Sequence, residues 1–312
     1  MKRVKAFAPC SIGNVGPGFD VFGLALSGAG DEVEAVRIET PEVRIRTIEG
    51  DQGRLPQEAA KNTSGIAAIE TLKLLKETRG EEFGVELSLM KGLPLNSGLG
   101  SSASSAAAAA VAVNALAVNP VDKSDLLEPC ILAESAVSGF HADNVAPSLL
   151  GGFIVVESMS PLRWSRVNPE FDIPLGVITP CLEVSTKMAR EVVPSLVKLE
   201  QVISQLSSVS TMLCGLFERD LEKFGRGVRD HIIEPARAEL VPGFERIQDH
   251  VLDLGALCFS LSGSGPTVFL ISKERESLGK ILDSAVSLWM EMGIQSTGRK
   301  VGIDSYGARI LD

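Results

Sequence analysis

Residues 91–116 read KGLPLNSGLGSSASSAAAAAVAVNAL, a stretch in which glycine, serine and proline give way at once to alanine. Pro94, Gly98 and Gly100 break an apolar segment, and Ala106 to Leu116 supplies strong helix formers with no breaker. The pattern predicts a loop that delivers the start of a helix, with Ser101 or Ser102 as the cap. Such a helix start has unpaired N–H groups and the positive end of the dipole, and small side chains leave room for a bulky anion. Phosphate is its natural occupant. The plain alternative is an Ala-rich helix packed on a sheet, its Gly and Ser serving only a tight turn. The stretch is not a P-loop, because GxxxxGK[ST] needs a lysine and a hydroxyl after the second glycine, and here Ser101 and Ser102 follow Gly100. Nor is it GxGxxG.

Other residue types suit phosphate chemistry if the fold brings them close. Residues 122–138 read as a helix with Leu126, Leu127, Ile131, Leu132 and Ala133 inward, and Glu134 lies on or beside that apolar face. A charge there needs a partner or a metal. Magnesium takes oxygen ligands, so the Ser102 hydroxyl and the Glu134 carboxylate would fit it; the alternative is a helix-edge glutamate in water. Lys91 ends a strand over 85–92, where it either reaches a phosphate or is solvated. Asn62 opens a helix over 62–76 and reads first as a capping residue, with Thr63 or Ser64 also available. His141 and Asn144 are three apart and share a face if that segment is helical. Arg190 and Arg237 lie beside irregular loops, and two guanidinium forks could clamp a carboxylate, although most arginines face water.

The elements that must position these residues follow from periodicity and breakers. Residues 4–9 alternate as a strand, a loop with Gly13, Gly16, Pro17 and Gly18 carries Asn14 and Asp20, and VFGLAL resumes a strand. Residues 31–49 suggest two strands broken near Pro41, and 51–60 a polar connector. Gly151 and Gly152 open an apolar strand. Residues 157–169 are polar and interrupted by Pro161 and Pro169, which places a domain boundary there, with domains at 1–160 and 161–312. Then come a strand over 173–180, one long or two short amphipathic helices over 195–220, two strands around Ser262–Thr267, a helix over 274–292 and a closing strand pair in VGIDSYGARIL.

A chain of 312 residues can bury a sizeable core. Thirty basic against forty acidic residues give a net charge of −10, which argues against nucleic acid or an anionic membrane as main partner, while a local site can still bind an anion. Five scattered cysteines with no CxxC pair, no signal peptide and no long apolar span read as a cytosolic chain with reduced thiols and no zinc site.

The order Pro-x-x-x-Gly-Leu-Gly-Ser-Ser-Ala-Ser over 94–104 resembles the phosphate loop of the GHMP kinases, named for galactokinase, homoserine kinase, mevalonate kinase and phosphomevalonate kinase. Asn14-x-Gly-Pro-Gly-Phe-Asp20 matches the first motif of the homoserine kinases within that family. The run Gly-Phe-His-Ala-Asp-Asn over 139–144 resembles them closely, and Ser262–Thr267 resembles the third GHMP motif. Together these span nearly the whole chain. One departure is Ile-Gly-Asn-Val at 12–15, where the family usually has Ser-Ala-Asn-Leu; the asparagine survives while its neighbours differ.

The resemblance implies an α+β fold of two domains, the first like the second domain of ribosomal protein S5 and the second ferredoxin-like, with the site between them. It implies ATP-dependent phosphorylation of the L-homoserine side-chain hydroxyl to O-phospho-L-homoserine, on the way to threonine, with ATP as co-substrate and Mg2+. ATP would lie on Pro94, Leu95, Asn96, Ser97, Gly98, Leu99, Gly100, Ser101, Ser102, Ala103 and Ser104, with Lys91 beside them and Asn62 approaching adenine. Asn14 would contact the hydroxyl end of the substrate, Asp20 its ammonium, and Arg190 and Arg237 its carboxylate. His141 would line the amino-acid pocket, and Thr186 would stand near the reacting hydroxyl. Catalysis would rest on positioning and charge neutralisation. Where mevalonate-type relatives have an aspartate, this chain offers Asn144, which cannot take a proton, so turnover without a dedicated side-chain base is expected. Two other readings remain: a GHMP kinase for another small alcohol such as a sugar, and a non-catalytic nucleotide-binding relative. Dimerisation is left open.

Overall fold

The computed structural model describes residues 2–311. Its first half contains β1 (Arg3–Gly13), β2 (Phe22–Ile38), β3 (Val43–Glu49), α1 (Thr63–Arg79), β4 (Gly84–Met90), α2 (Ser101–Asn114), α3 (Leu127–Ser135), α4 (Val145–Leu150), β5 (Phe153–Met159) and β6 (Leu162–Val167). The second half contains β7 (Leu175–Pro180), α5 (Thr186–Glu191), α6 (Leu199–Glu218), α7 (Leu221–Gly227), α8 (Glu234–Ala238), α9 (Phe244–Asp253), β8 (Ala256–Leu261), β9 (Val268–Ser272), α10 (Leu278–Glu291), β10 (Ser296–Val301) and β11 (Arg309–Leu311).

The first sheet runs β11-β1-β2-β4-β3, with β5 and then β6 added beside the start of β2. Its backbone is β2, seventeen residues long, which pairs β1 along its length, β4 through Glu32–Ile38 and β5 through Phe22–Leu24. The expected break near Pro41 is present between β2 and β3, but VFGLAL and residues 31–38 form one continuous strand. The central helix against this sheet is α2, whose Ala106–Ala110 are all fully buried among Ala8, Val33, Leu87, Leu116 and Ile131. Methyl-sized side chains let its axis lie close to the strands, so the plain alternative for residues 101–114 holds for the helix body. Of the expected inward set, Leu126 just before α3 and Leu127, Ile131 and Ala133 within it are buried, while Leu132 is 37% exposed, falling off the packed face.

The second sheet is antiparallel with order β10-β7-β9-β8. Helices separate β7 from β8, and α10 separates β9 from β10, which is the split βαβ arrangement of a ferredoxin-like domain, as expected. Phe259, Leu270, Leu282 and Trp289 fill its own core. A third core of Ile12, Leu26, Phe153, Val177, Phe269 and Ile271 joins the two sheets and holds the halves as one body.

Two expectations about segmentation change, and one of two alternatives is decided. The polar stretch 157–169 is no linker: β6 pairs β5 in the first sheet, turning at Ser160 and Pro161, so the first half extends to Val167. The closing strand pair splits, β10 joining the second sheet and β11 returning to pair Lys5 with Leu311 in the first. Residues 195–220 form one long helix, α6, capped at Lys198. Among the described residues no helix is long and apolar enough to cross a membrane.

Candidate active site

Three glycine loops distant in sequence meet between the halves through backbone hydrogen bonds. Ser11 N–H donates to Leu99 O at 3.1 Å, Gly263 N–H to Gly13 O at 3.0 Å and Thr267 N–H to Ser97 O at 3.1 Å, while the Ser262 hydroxyl donates to Gly98 O at 2.6 Å. The approach is closest at two glycines with left-handed backbone. A Cβ on Gly98 (φ 81°) would lie 2.4 Å from Ser262 O, and one on Gly100 (φ 62°) 2.2 Å from Ser11 Oγ. The loops wall a cavity of about 430 Å³ lined from both halves. Replacing Gly100 with Ala is expected to raise the KM for ATP at least about tenfold and to cost about 1–3 kcal/mol of stability, read by steady-state kinetics and denaturant titration.

At one end of the cavity stands the start of α2. Its cap position is Gly100 and no side chain caps it, so neither Ser101 nor Ser102 fills the expected role and the first-turn N–H groups remain for a ligand. The Ser102 hydroxyl donates to Glu134 Oε1 at 2.9 Å, and Ser138 donates to the same oxygen. Glu134 Oε2 is buried without any partner. Burial pushes the Glu134 carboxyl up, only partly offset by Ser138 and Ser102. A buried carboxylate with one orphan oxygen beside a hydroxyl is a donor set suited to a hard divalent cation, not a helix-edge residue in water.

Several expected nucleotide contacts are redistributed. Leu95, Asn96, Ser97, Gly98, Gly100, Ser101 and Ser102 line the cavity, but Pro94, Leu99, Ala103 and Ser104 do not. Leu99 sits in the core between the sheets, and Ser104 is fully buried, donating to Ala8 O and accepting from Asp31 N–H. Lys91 touches the cavity wall, yet it is neither solvated nor free: its ammonium pairs with Asp31 and donates to Ser101 O and Ser105 Oγ, which uses all three donors. It braces the first residue of α2 from below. Asn62 is the cap of α1, accepting from Ser64 N–H at 3.0 Å and donating to Pro56 O, and it lines the same cavity. Arg54, Leu55 and Pro56, read from sequence only as connector, line it too, as does Lys61.

At the other end lie Asn14, Asp20, His141, Asn144, Thr186, Arg190 and Arg237, all on the cavity wall. Asn14 and Asp20 are both left-handed (φ 58°), and Asp20 N–H donates to Asn14 Oδ1 at 2.8 Å, which fixes the first motif. His141 and Asn144 share no helix face: His141 and Ala142 are irregular, Asp143 and Asn144 form a turn, and α4 starts after Asn144. They converge through that turn instead. Asn144 Oδ1 accepts from Ser11 Oγ at 3.1 Å. Thr186 opens α5, which is capped by Ser185. Arg190 grips Asp20 with two bonds, at 2.8 and 2.9 Å. Arg237 is buried, donates from Nε to Ala189 O and from Nη1 to Gly263 O, and leaves Nη2 for a ligand; burial and the neighbouring Arg190 push its pKa down.

Sequence reasoning missed two residues here. Asp143 is buried, accepts from Asn14 N–H, and brings its free Oδ1 to 3.3 Å from His141 Nδ1. Phe19 has the guanidinium carbons of Arg190 and Arg237 each 4.9 Å from its ring centre. Both stand inside quoted motifs, Asp143 beside His141 and Phe19 beside Asp20, so adjacency was the only available signal.

Burial pulls the His141 pKa down, but Asp143, the Ser138 carbonyl and Asp20 outweigh it and push it up to about 9. A histidine raised in the folded state contributes stability that is fully present below its ordinary value of 6.5 and is lost as pH rises through 9. For this mostly buried ring the swing is about 3 kcal/mol. His141→Gln is expected to flatten the pH dependence of Tm between these values, with little change above pH 10; an unchanged slope would remove the charged imidazolium from the site.

The GHMP kinases N terminal domain matches residues 67–152, and the GHMP kinases C terminal domain matches 212–289. Homoserine kinase from Chlorobaculum tepidum is 39% identical over all of this chain and 99% of its own length. That from Pyrococcus abyssi is 38% identical over 96% of this chain and 98% of its own. The crystal structure of homoserine kinase from Cytophaga hutchinsonii superposes with a TM-score of 0.94 at 40% identity, covering 100% of this chain and 98% of that one. With matching domains in both halves and full-length relatives of this closeness, the chain belongs to the GHMP kinase family, in its homoserine kinase branch, and is an ATP-dependent kinase acting on an alcohol.

Proposed function

We propose that this protein transfers the terminal phosphoryl group of ATP to the side-chain hydroxyl of L-homoserine, with Mg2+, giving O-phospho-L-homoserine for threonine biosynthesis in the cytoplasm. The observation that carries the reading is one cavity with two unlike ends. An uncapped helix start with a part-buried hydroxyl–carboxylate pair forms one end, and two guanidinium groups, Arg190 paired with Asp20 and Arg237 over the same Phe19 ring, form the other beside His141. The first suits a metal-bound polyphosphate and the second a small zwitterion.

The N–H groups at the junction of the glycine loop and α2, within residues 98–102, hold the phosphates and neutralise charge that builds as the phosphoryl group leaves. Ser102 and Glu134 would hold Mg2+, which would supply charge neutralisation to the polyphosphate. Asn62 lies at the nucleoside end. Arg237 and Arg190 take the substrate carboxylate, Asp20 its ammonium, and Asn14, Asn144 and Thr186 orient the hydroxyl. His141, charged at neutral pH, holds Asp143 in place.

The hydroxyl proton passes late to phosphate, because a loose transition state demands little early proton removal and the Asn144 amide cannot accept it. Asn144→Ala should therefore slow turnover without altering the shape of the kcat–pH profile. A bell traced to Asp143 would replace this step with general-base catalysis. The function itself is tested by ADP release over a panel of alcohols, with and without Mg2+. L-homoserine should exceed galactose, mevalonate and simple polyols by several orders of magnitude, and a preferred sugar or polyol would overturn the assignment.

A further inference from the structure

Arg190 is assigned above to a substrate carboxylate, yet in this structure its fork already holds one. Nη1 and Nη2 donate to the two oxygens of Asp20 at 2.9 and 2.8 Å, across the cleft between the first motif and α5. The pair is about one-third exposed on each side, so a ligand can reach it. Phe19 lies under it, with Arg237 over the same ring. On the far side, oxygen atoms of Asp20 and Asp143 and a ring nitrogen of His141 lie within 4.8 Å of one another.

We propose that the Asp20–Arg190 pair stands in for the two charges of the substrate and is exchanged for them on binding, so that the pocket selects alcohols carrying an ammonium and a carboxylate together. This rests on the functional reading above and deepens it. An anionic alcohol that takes Arg190 leaves Asp20 with only His141, whose charge Asp143 already shares. A cationic alcohol that takes Asp20 strands Arg190 beside Arg237. A neutral alcohol leaves the pair closed over the carboxylate position. Only a zwitterion replaces one ion pair with two and leaves no charge unpaired. Selectivity therefore comes from a penalty built against each half-charged ligand as well as from contacts to the right one. The two substrate charges must act cooperatively, losing either being nearly as harmful as losing both.

The test is calorimetric binding of L-homoserine, 4-hydroxybutanoate, 3-aminopropan-1-ol and propan-1-ol to the wild-type protein, Asp20→Asn and Arg190→Gln. Asparagine tolerates the left-handed backbone at position 20. In the wild type, deleting either charge should weaken binding about 100-fold or more, and deleting the second should add less than about tenfold. Asp20→Asn frees Arg190, so 4-hydroxybutanoate should bind at least tenfold tighter than to the wild type while L-homoserine weakens. Arg190→Gln should give the mirror result, a tenfold gain for 3-aminopropan-1-ol. Absence of both gains, with L-homoserine still bound and phosphorylated by the wild type, overturns the exchange and leaves the functional reading standing. No binding of L-homoserine to the wild type overturns both.

Discussion

Glu134→Ala is expected to lower kcat roughly 1,000-fold while the KM for L-homoserine changes less than about threefold. The reason is the unusual state of this carboxylate. It is buried beside the start of α2, holds two hydroxyl groups on Oε1 and has nothing on Oε2. Its pKa is pushed up by burial, which Ser138, Ser102 and His141 offset only in part, so the charged form is a burden on the free protein that a bound cation relieves. Folding does not explain such a residue. A structural role and a ligand role give opposite stability signatures, which Glu134→Gln separates. The sign follows from the raised pKa: the carboxyl favours the folded state only at acid pH and loses that contribution as pH rises. The amide keeps the bonds to Ser102 and Ser138 without the charge. At pH values above the ordinary carboxyl value of 4.5 this variant should gain stability relative to the wild type as pH rises in denaturant titration, yet lose the stabilisation that Mg2+ and ADP together give the wild type. A variant that is both less stable and still stabilised by Mg2+ and ADP would make Glu134 a packing residue.

Arg237→Leu is expected to raise the KM for L-homoserine about 100-fold or more and the KM for ATP by less than about threefold. Its anchoring bonds to Ala189 O and Gly263 O fix α5 and the third glycine loop at once, so the guanidinium is rigid where Arg190, paired with Asp20, must rearrange. The substitution also orphans two carbonyls, a stability loss of about 1–3 kcal/mol each. Arg237→Lys separates the two effects, since it restores charge without the planar fork and should recover little of the substrate affinity. Equal rises in both KM values would place the carboxylate elsewhere.

How much of this was legible in the sequence depended on how local each cause is. The start of α2 was, because Gly-Leu-Gly before a run of alanine is a local statement about backbone freedom and helix propensity. The identity of its cap was not: Gly100 holds the position because Ser11 and Asn144 crowd it, and both lie far away in the chain. Glu134 was legible as a charge on an apolar face. Lys91 was misjudged in both of its readings, since its true partner Asp31 is sixty residues away on β2 and nothing in the local pattern announces a buried ion pair. Residues 157–169 looked like a domain boundary because β6 is an edge strand with a polar exposed face, where composition resembles a loop. The stitching of the three glycine loops is carried mostly by backbone atoms, whose partners no side chain announces.

The central claim is that the start of α2 holds the nucleotide phosphates while the Arg237 end of the same cavity aims a zwitterionic alcohol at them. Its most direct measurement is a crystal structure with a non-hydrolysable ATP analogue, Mg2+ and L-homoserine. The account predicts phosphate oxygens on the N–H groups of residues 98–102 and the substrate hydroxyl oxygen about 3–3.5 Å from the terminal phosphorus. Triphosphate away from that helix start, or an amino acid whose carboxylate lies out of reach of Arg237, would contradict it.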